Sequence, residues 1–173
     1  MQEQTEKKPR ICRFLDALVS RVGRVTAWLN VLLIIVIITQ VILRYGFGEG
    51  MVWVEELQWH LFAVGIMFGI SFALVEDAHI RLDILHQRFS PQTKELVEFF
   101  GMLLLVLPLV AILFYFGVDF AASAYQIGEK SPSPLGLPYR WIVKAVFPAS
   151  MFLLFLAAFS RMIRAAVFIF GKK

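Results

Sequence analysis

The stretch Val25 to Leu43 reads VTAWLNVLLIIVIITQVIL, and only Thr26, Asn30, Thr39 and Gln40 break its apolar character. A helix needs roughly 20 apolar residues to cross the ~30 Å hydrocarbon layer of a bilayer. No water is available there to bond exposed N–H and C=O groups, so the run must satisfy its backbone internally, which a helix does. The competing reading is a cleaved secretory leader. The run is too long for the apolar part of a leader, and Arg44-Tyr45-Gly46 follows it in place of a small-residue cleavage site. A retained first span over 25–43 is therefore predicted.

Three more runs repeat the pattern. The second, 56–75, opens near Trp53, Glu55, Glu56 and Trp59, and the two indoles suit an aromatic belt at the membrane surface. The third, 96–120, contains Glu98 near its start and Pro108 inside it. That proline should kink the helix unless neighbours satisfy the freed carbonyl. The fourth, 141–163, has Lys144 and Pro148 near its start, with Ser160, Arg161 and Arg164 at its far end. Long arginines in that position can snorkel to the headgroup layer.

Between and before the runs the pattern changes. Residues 1–10 are charged and aperiodic, as in a disordered tail. Ile11, Phe14, Leu15, Leu18, Val19 and Val22 recur at helical spacing, opposite Arg13, Asp16, Ser20 and Arg21. This predicts a helix over 11–22 lying in the interface. Residues 76–90 show both a two-residue and a helical period and read as an amphipathic surface segment. Ser90-Pro91 then supplies an N-cap and a proline at the first helical position. A loop rich in proline and glycine follows the third run at 126–139. The expected fold is all-α: one membrane domain over 1–173 with four transmembrane helices and amphipathic interfacial segments.

Composition agrees, since 59% of the 173 residues are hydrophobic against roughly 45–50% in an ordinary soluble domain. Mean hydropathy is +0.73. Little sequence is left for a soluble catalytic domain. The net charge of +4 does not point to nucleic acid, because the basic residues cluster beside the apolar runs, where they orient the protein and meet anionic headgroups. Thirteen lie before the first run, between 76 and 95, or from Arg161 at the end of the fourth onward; only Arg44, Lys130, Arg140 and Lys144 lie on the other side. The positive-inside rule makes both termini and the 76–95 segment cytoplasmic. A single cysteine, Cys12, permits neither a disulfide framework nor a thiolate metal site.

Catalytic and cofactor chemistries are weakly supported. Of His60, His79 and His86 only His60 lies within a run, whereas haem in a membrane bundle needs inward-facing histidines, usually in pairs. An electron-transfer anchor sharing a haem with a partner is the alternative this leaves. Ser71 has no base in the third or fourth run to activate it, and a packing hydroxyl bonded to the preceding turn is the plainer reading. His79 and Asp83, four apart in a polar segment, suit a surface hydrogen bond better than a metal site. No Walker-type loop is present. The centres of the runs carry no charge, which argues against a substrate path through this chain. Gly65, Gly69 and Ala73 stand four apart and make a flat helix face for close packing.

Arg44-Tyr45-Gly46-Phe47, Trp53-Val54-Glu55-Glu56-Leu57, Gly65 and Gly69, and His79-Ile80-Arg81-Leu82-Asp83-Ile84-Leu85 occur in that order. Gly128-Glu129-Lys130-Ser131-Pro132, Gly136-Leu137-Pro138 and Trp141 follow. Together they resemble the small, four-helix (Q-type) membrane subunit of tripartite ATP-independent periplasmic (TRAP) transporters, over most of residues 25–165. The resemblance implies a non-enzymatic scaffold in the bacterial inner membrane. In such systems a large multi-helix subunit holds the substrate and sodium sites and moves as an elevator, while a periplasmic binding protein delivers an organic acid. The small subunit is expected to bind no cofactor and to brace the large one. Candidate contacts to the partner, or helix-end ion pairs, are Arg44, Glu55, Glu56, Gly65, Gly69, Ala73, His79 and Asp83. The segments 11–22 and 76–90 are expected to hold the scaffold in register with the membrane, and the 126–139 loop to help dock the binding protein.

Overall fold

A computed structural model describes residues 9–78 and 89–171. The described chain is helical with no strand, and four helices are long and apolar enough to cross a membrane. They are α1 (Arg10–Gly46), α2 (Val52–Val75), α3 (Pro91–Gln126) and α4 (Trp141–Phe170). Two of its ends meet solvent differently. The hairpin end holds the short 47–51 turn and the 127–140 loop; the terminal end holds both ends of the helical chain, the end of α2 and the start of α3.

The first helix departs from expectation. The interfacial helix over 11–22 and the span over 25–43 are one unbroken helix of 37 residues, about 55 Å long at 1.5 Å per residue. Nothing between Val22 and Val25 stops it: Gly23 sits mid-helix because its missing side chain makes room for α2. A Cβ there would lie 2.6 Å from atoms of Phe72. The buried face also differs. Cys12, Asp16, Val19, Gly23 and Thr26 turn inward, while Ile11, Phe14 and Leu18 stay exposed. In a bilayer an outward apolar side chain is at home and a polar one is better placed inside.

In α3, Ser90 caps the start, accepting the Thr93 N–H at 3.2 Å. Residues Met102–Val106 then widen into a single π-helical turn immediately before Pro108. The wider turn, in which the Leu107 N–H reaches the Met102 carbonyl, passes the proline without breaking the helix. Gly128, in the left-handed region at φ +60°, ends the helix. Its N–H bonds Tyr125 at 3.1 Å and that of Glu129 bonds Ala124 at 3.0 Å, the pairing of a Schellman cap.

The fourth helix is central, touching the other three, while α1 pairs with α2 and α3 with α4. Small residues let it do so: Ala157, Ala158 and Ala165 are fully buried. Gly117 of α3 receives Phe147 and Pro148, and a Cβ there would lie 2.7 Å from the Phe147 ring. The apolar core sits in the terminal half, around Val19, Leu153 and Ala157 and around Met102, Leu107 and Ala158. Outward surfaces are large and aliphatic or aromatic, as at Ile34, Ile38, Leu105 and Phe116.

Candidate functional site

Polar groups gather at the two ends of the bundle. At the hairpin end Arg44, in the last turn of α1, pairs with Glu55 in the first turn of α2. Gln40 donates to the Met51 carbonyl at 3.3 Å and fixes the short turn between them. One helical position on, Glu56 reaches the other loop. Its carboxylate accepts the Ser131 hydroxyl and, at 2.6 Å, the Leu137 N–H. The loop is thus folded over a single carboxylate contributed by a distant helix. Its base is held by Glu129, which pairs with Lys144 and, at 3.9 Å, with Arg140. The Lys144 ammonium also stands 4.2 Å from the centre of the Phe120 ring.

The terminal end carries a second, more deeply buried group. Arg161 of α4 forks onto Glu95 of α3, with Nη1 at 2.8 Å and Nη2 at 3.1 Å from the two carboxylate oxygens. Its Nε lies 3.5 Å from Glu98. Asp16 of α1 accepts the Ser160 hydroxyl at 2.6 Å and faces Arg164 at 3.8 Å. Cys12 points its thiol at the Ser160 carbonyl, 3.7 Å away. Three helices are joined here by charge-assisted hydrogen bonds, stronger than neutral ones. The expectation that Arg161 snorkels is corrected: its side chain is only 11% exposed, because two carboxylates one helical turn apart on α3 supply the solvation a headgroup would give. Glu95 and Asp16 were not among the sequence candidates. The signal was the i, i+3 spacing of Glu95 and Glu98, which sets both carboxylates on one face of α3, where Arg161 meets them, while Arg164 turns to Asp16.

The remaining candidates are dispersed. Gly65 faces Asn30, whose Oδ1 would be 3.3 Å from an added Cβ, whereas Gly69 meets nothing within 4 Å. The carbonyl of Ala73 accepts the Ala78 N–H at 2.9 Å as α2 ends. His79 and Asp83 lie outside the described residues. Ser71 donates to the Phe68 carbonyl at 2.9 Å, a bond to its own preceding turn. His60 lies half-buried on α2, one turn from Glu56. Among the described residues no three His, Cys, Asp or Glu side chains converge as a metal-binding group.

The sequence that builds these four apolar helices has counterparts among known proteins. Residues 33–168 match the family described as tripartite ATP-independent periplasmic transporters, DctQ component. The chain belongs to that family. A curated relative, described as a putative TRAP transporter small permease protein of Haemophilus influenzae, is 26% identical over 139 residues, covering 80% of this chain and 83% of the relative. As a DctQ component the chain is a multi-pass membrane protein and a small subunit of a transporter. The electron-transfer alternative is not favoured. Arg44, Glu55, Glu56, Glu129, Glu95 and Arg161 fall within the matched residues, while Cys12 and Asp16 precede them.

Proposed function

We propose that this DctQ component braces the large, elevator-type subunit of a sodium-coupled transporter for an organic acid, and that it carries no substrate itself. One observation carries the reading. Residues 25–43, 61–75, 99–118 and 145–160 contain no charged side chain, while the charged groups bind the helix ends to one another. A carrier places polar groups at the membrane centre; a brace needs fixed ends and an apolar flank to pack on. Sodium ions and substrate belong, in this reading, to the large subunit, and a periplasmic binding protein supplies the substrate. In this reading the terminal end, with its excess of basic residues, faces the cytoplasm of a bacterial inner membrane, as the positive-inside rule supports. The 127–140 loop then faces the periplasm, where it is placed to help dock the binding protein.

Mild-detergent capture of the tagged chain from native membranes, followed by mass spectrometry and an absorbance spectrum, tests the reading. The expected result is a colourless complex with one large polytopic protein. Sodium-driven uptake of organic acids by proteoliposomes should then require both subunits and the binding protein. A Soret band with redox subunits would overturn the proposal.

A further inference from the structure

Where α3 turns into the 127–140 loop, Tyr125, Gly128, Lys130, Tyr139 and Trp141 line a half-open cleft of about 330 Å³, within the roughly 300–1,000 Å³ of ordinary ligand sites. Its walls are set by packing: Tyr125 and Trp141 meet edge to face with centroids 5.3 Å apart. Lys130 is its cation and makes no ion pair among the described residues, because the adjacent carboxylate, Glu129, is engaged by Lys144 and Arg140. Helix α4 starts at Trp141 with neither a side-chain cap nor an acidic residue in its first turn. The positive end of its dipole therefore adds to the lysine's field.

Tyr139 adds a separate observation. Its backbone is left-handed at φ +63°, a conformation that bulky residues rarely adopt. Hydrogen bonds on both sides hold it there, from Arg140 N–H to the Glu129 carbonyl at 3.1 Å and from Ile142 N–H to the Tyr139 carbonyl at 3.0 Å. Yet the residue stays mostly open in return, at 64% exposed. Strain kept without internal packing marks a side chain placed for something outside the chain.

We infer that this cleft binds the headgroup of an anionic phospholipid from the leaflet that meets the loop. The shape of the chemistry favours a lipid: aromatic walls built on the ends of two membrane helices, at the level where such rings meet headgroups, with one ammonium that has no ion-pair partner among the described residues. Lys130 and the tyrosine hydroxyls take the phosphate, and the faces of Trp141 and Tyr125 take the glycerol and first acyl carbons. The inference is independent of the transport reading and of which end faces the cytoplasm.

The test uses the full chain in mild detergent with Trp28, Trp53 and Trp59 replaced by Phe, leaving Trp141 as the fluorophore. Acyl-brominated phosphatidylglycerol and phosphatidylcholine are titrated in as quenchers. Phosphatidylglycerol should reach half-quenching at about fivefold lower concentration, the effect of one lysine near an anionic surface. Lys130→Gln should abolish that preference, and Tyr139→Gly should raise the phosphatidylglycerol midpoint while raising thermal stability by relieving the backbone. Glycerol phosphate without acyl chains should not compete. Equal midpoints for the two lipids, an unchanged preference in Lys130→Gln, an unchanged midpoint in Tyr139→Gly, or full competition by glycerol phosphate would each overturn it. Equal midpoints would instead favour an acidic side chain of a protein partner as the occupant.

Discussion

The two ends of the bundle use the same kinds of ion pair in different solvents. Arg161 and Glu95 at the terminal end are 11% and 21% exposed, whereas Arg44 and Glu55 at the hairpin end are 50% and 38% exposed. A pair open to water gains little, because each charge was already well solvated. A buried pair need not add net stability either, yet removing one member leaves the other desolvated and uncompensated. The terminal end is thus a clasp that tolerates no partial dismantling, whereas at the hairpin end the Arg44–Glu55 pair joining α1 to α2 is an adjustable contact and only the Glu129–Lys144 pair at the loop base is comparably covered, at 21% and 20% exposed. In the proposed role as a brace, this would keep the helix ends fixed on one side and leave a loop available on the other.

The largest expected effect comes from Arg161→Leu, which leaves Glu95 and Glu98 without their guanidinium. Unfolding in a denaturing-detergent titration should show a loss of about 3–5 kcal/mol. Replacing Glu95 and Glu98 by Leu in the same chain should recover most of it, since an apolar cluster of similar volume has no charge to compensate. If Arg161→Leu alone costs under about 1 kcal/mol, the level of an exposed pair, then the contrast between the ends fails.

A local effect is expected from Glu56→Gln. The amide cannot accept from both the Ser131 hydroxyl and the Leu137 N–H as the carboxylate does, so the loop should open while the helices stay packed. Trypsin should cut after Lys130 markedly faster, with the unfolding midpoint of the bundle unchanged. A fall in that midpoint matching the faster cleavage would mean the hairpin end is as integral to stability as the terminal end.

Much of this was legible in the sequence, for a reason specific to membranes. The spans announce themselves because lipid demands apolar side chains all around a helix, and Ser90-Pro91 marked the start of α3 because capping is a local interaction. What stayed hidden depended on packing between distant segments. The periodicity of 11–22 set Asp16 on a polar face with Arg13 and Arg21; those two are exposed and Val19 is buried as that pattern implies, but Asp16 turns inward, where the hydroxyl of Ser160, 144 positions away, donates to it. Arg161 read as a snorkelling residue because its partner Glu95 lies 66 positions upstream. The Gly65, Gly69 and Ala73 spacing was visible, yet the glycines that receive bulky side chains within the chain are Gly23 and Gly117. Spacing shows that a face is flat, not what lies against it.

The smallest expected effect is at Arg44. Its pair with Glu55 joins α1 to α2 across the short 47–51 turn, but the turn is also held by Gln40 on the Met51 carbonyl and by the Glu49 N–H on the Leu43 carbonyl at 3.0 Å. With that backbone geometry already fixed, Arg44→Ala should cost no more than about 1 kcal/mol in low salt. The difference from the unaltered chain should shrink further as salt is raised to about 1 M, where the screening length falls to roughly 3 Å. A loss of several kcal/mol that persists in high salt would show Arg44 to be screened from solvent, against its 50% exposure in the structure. The hairpin end would then have to be regarded as a second rigid clasp, and the adjustable role assigned to it would pass to the 127–140 loop alone.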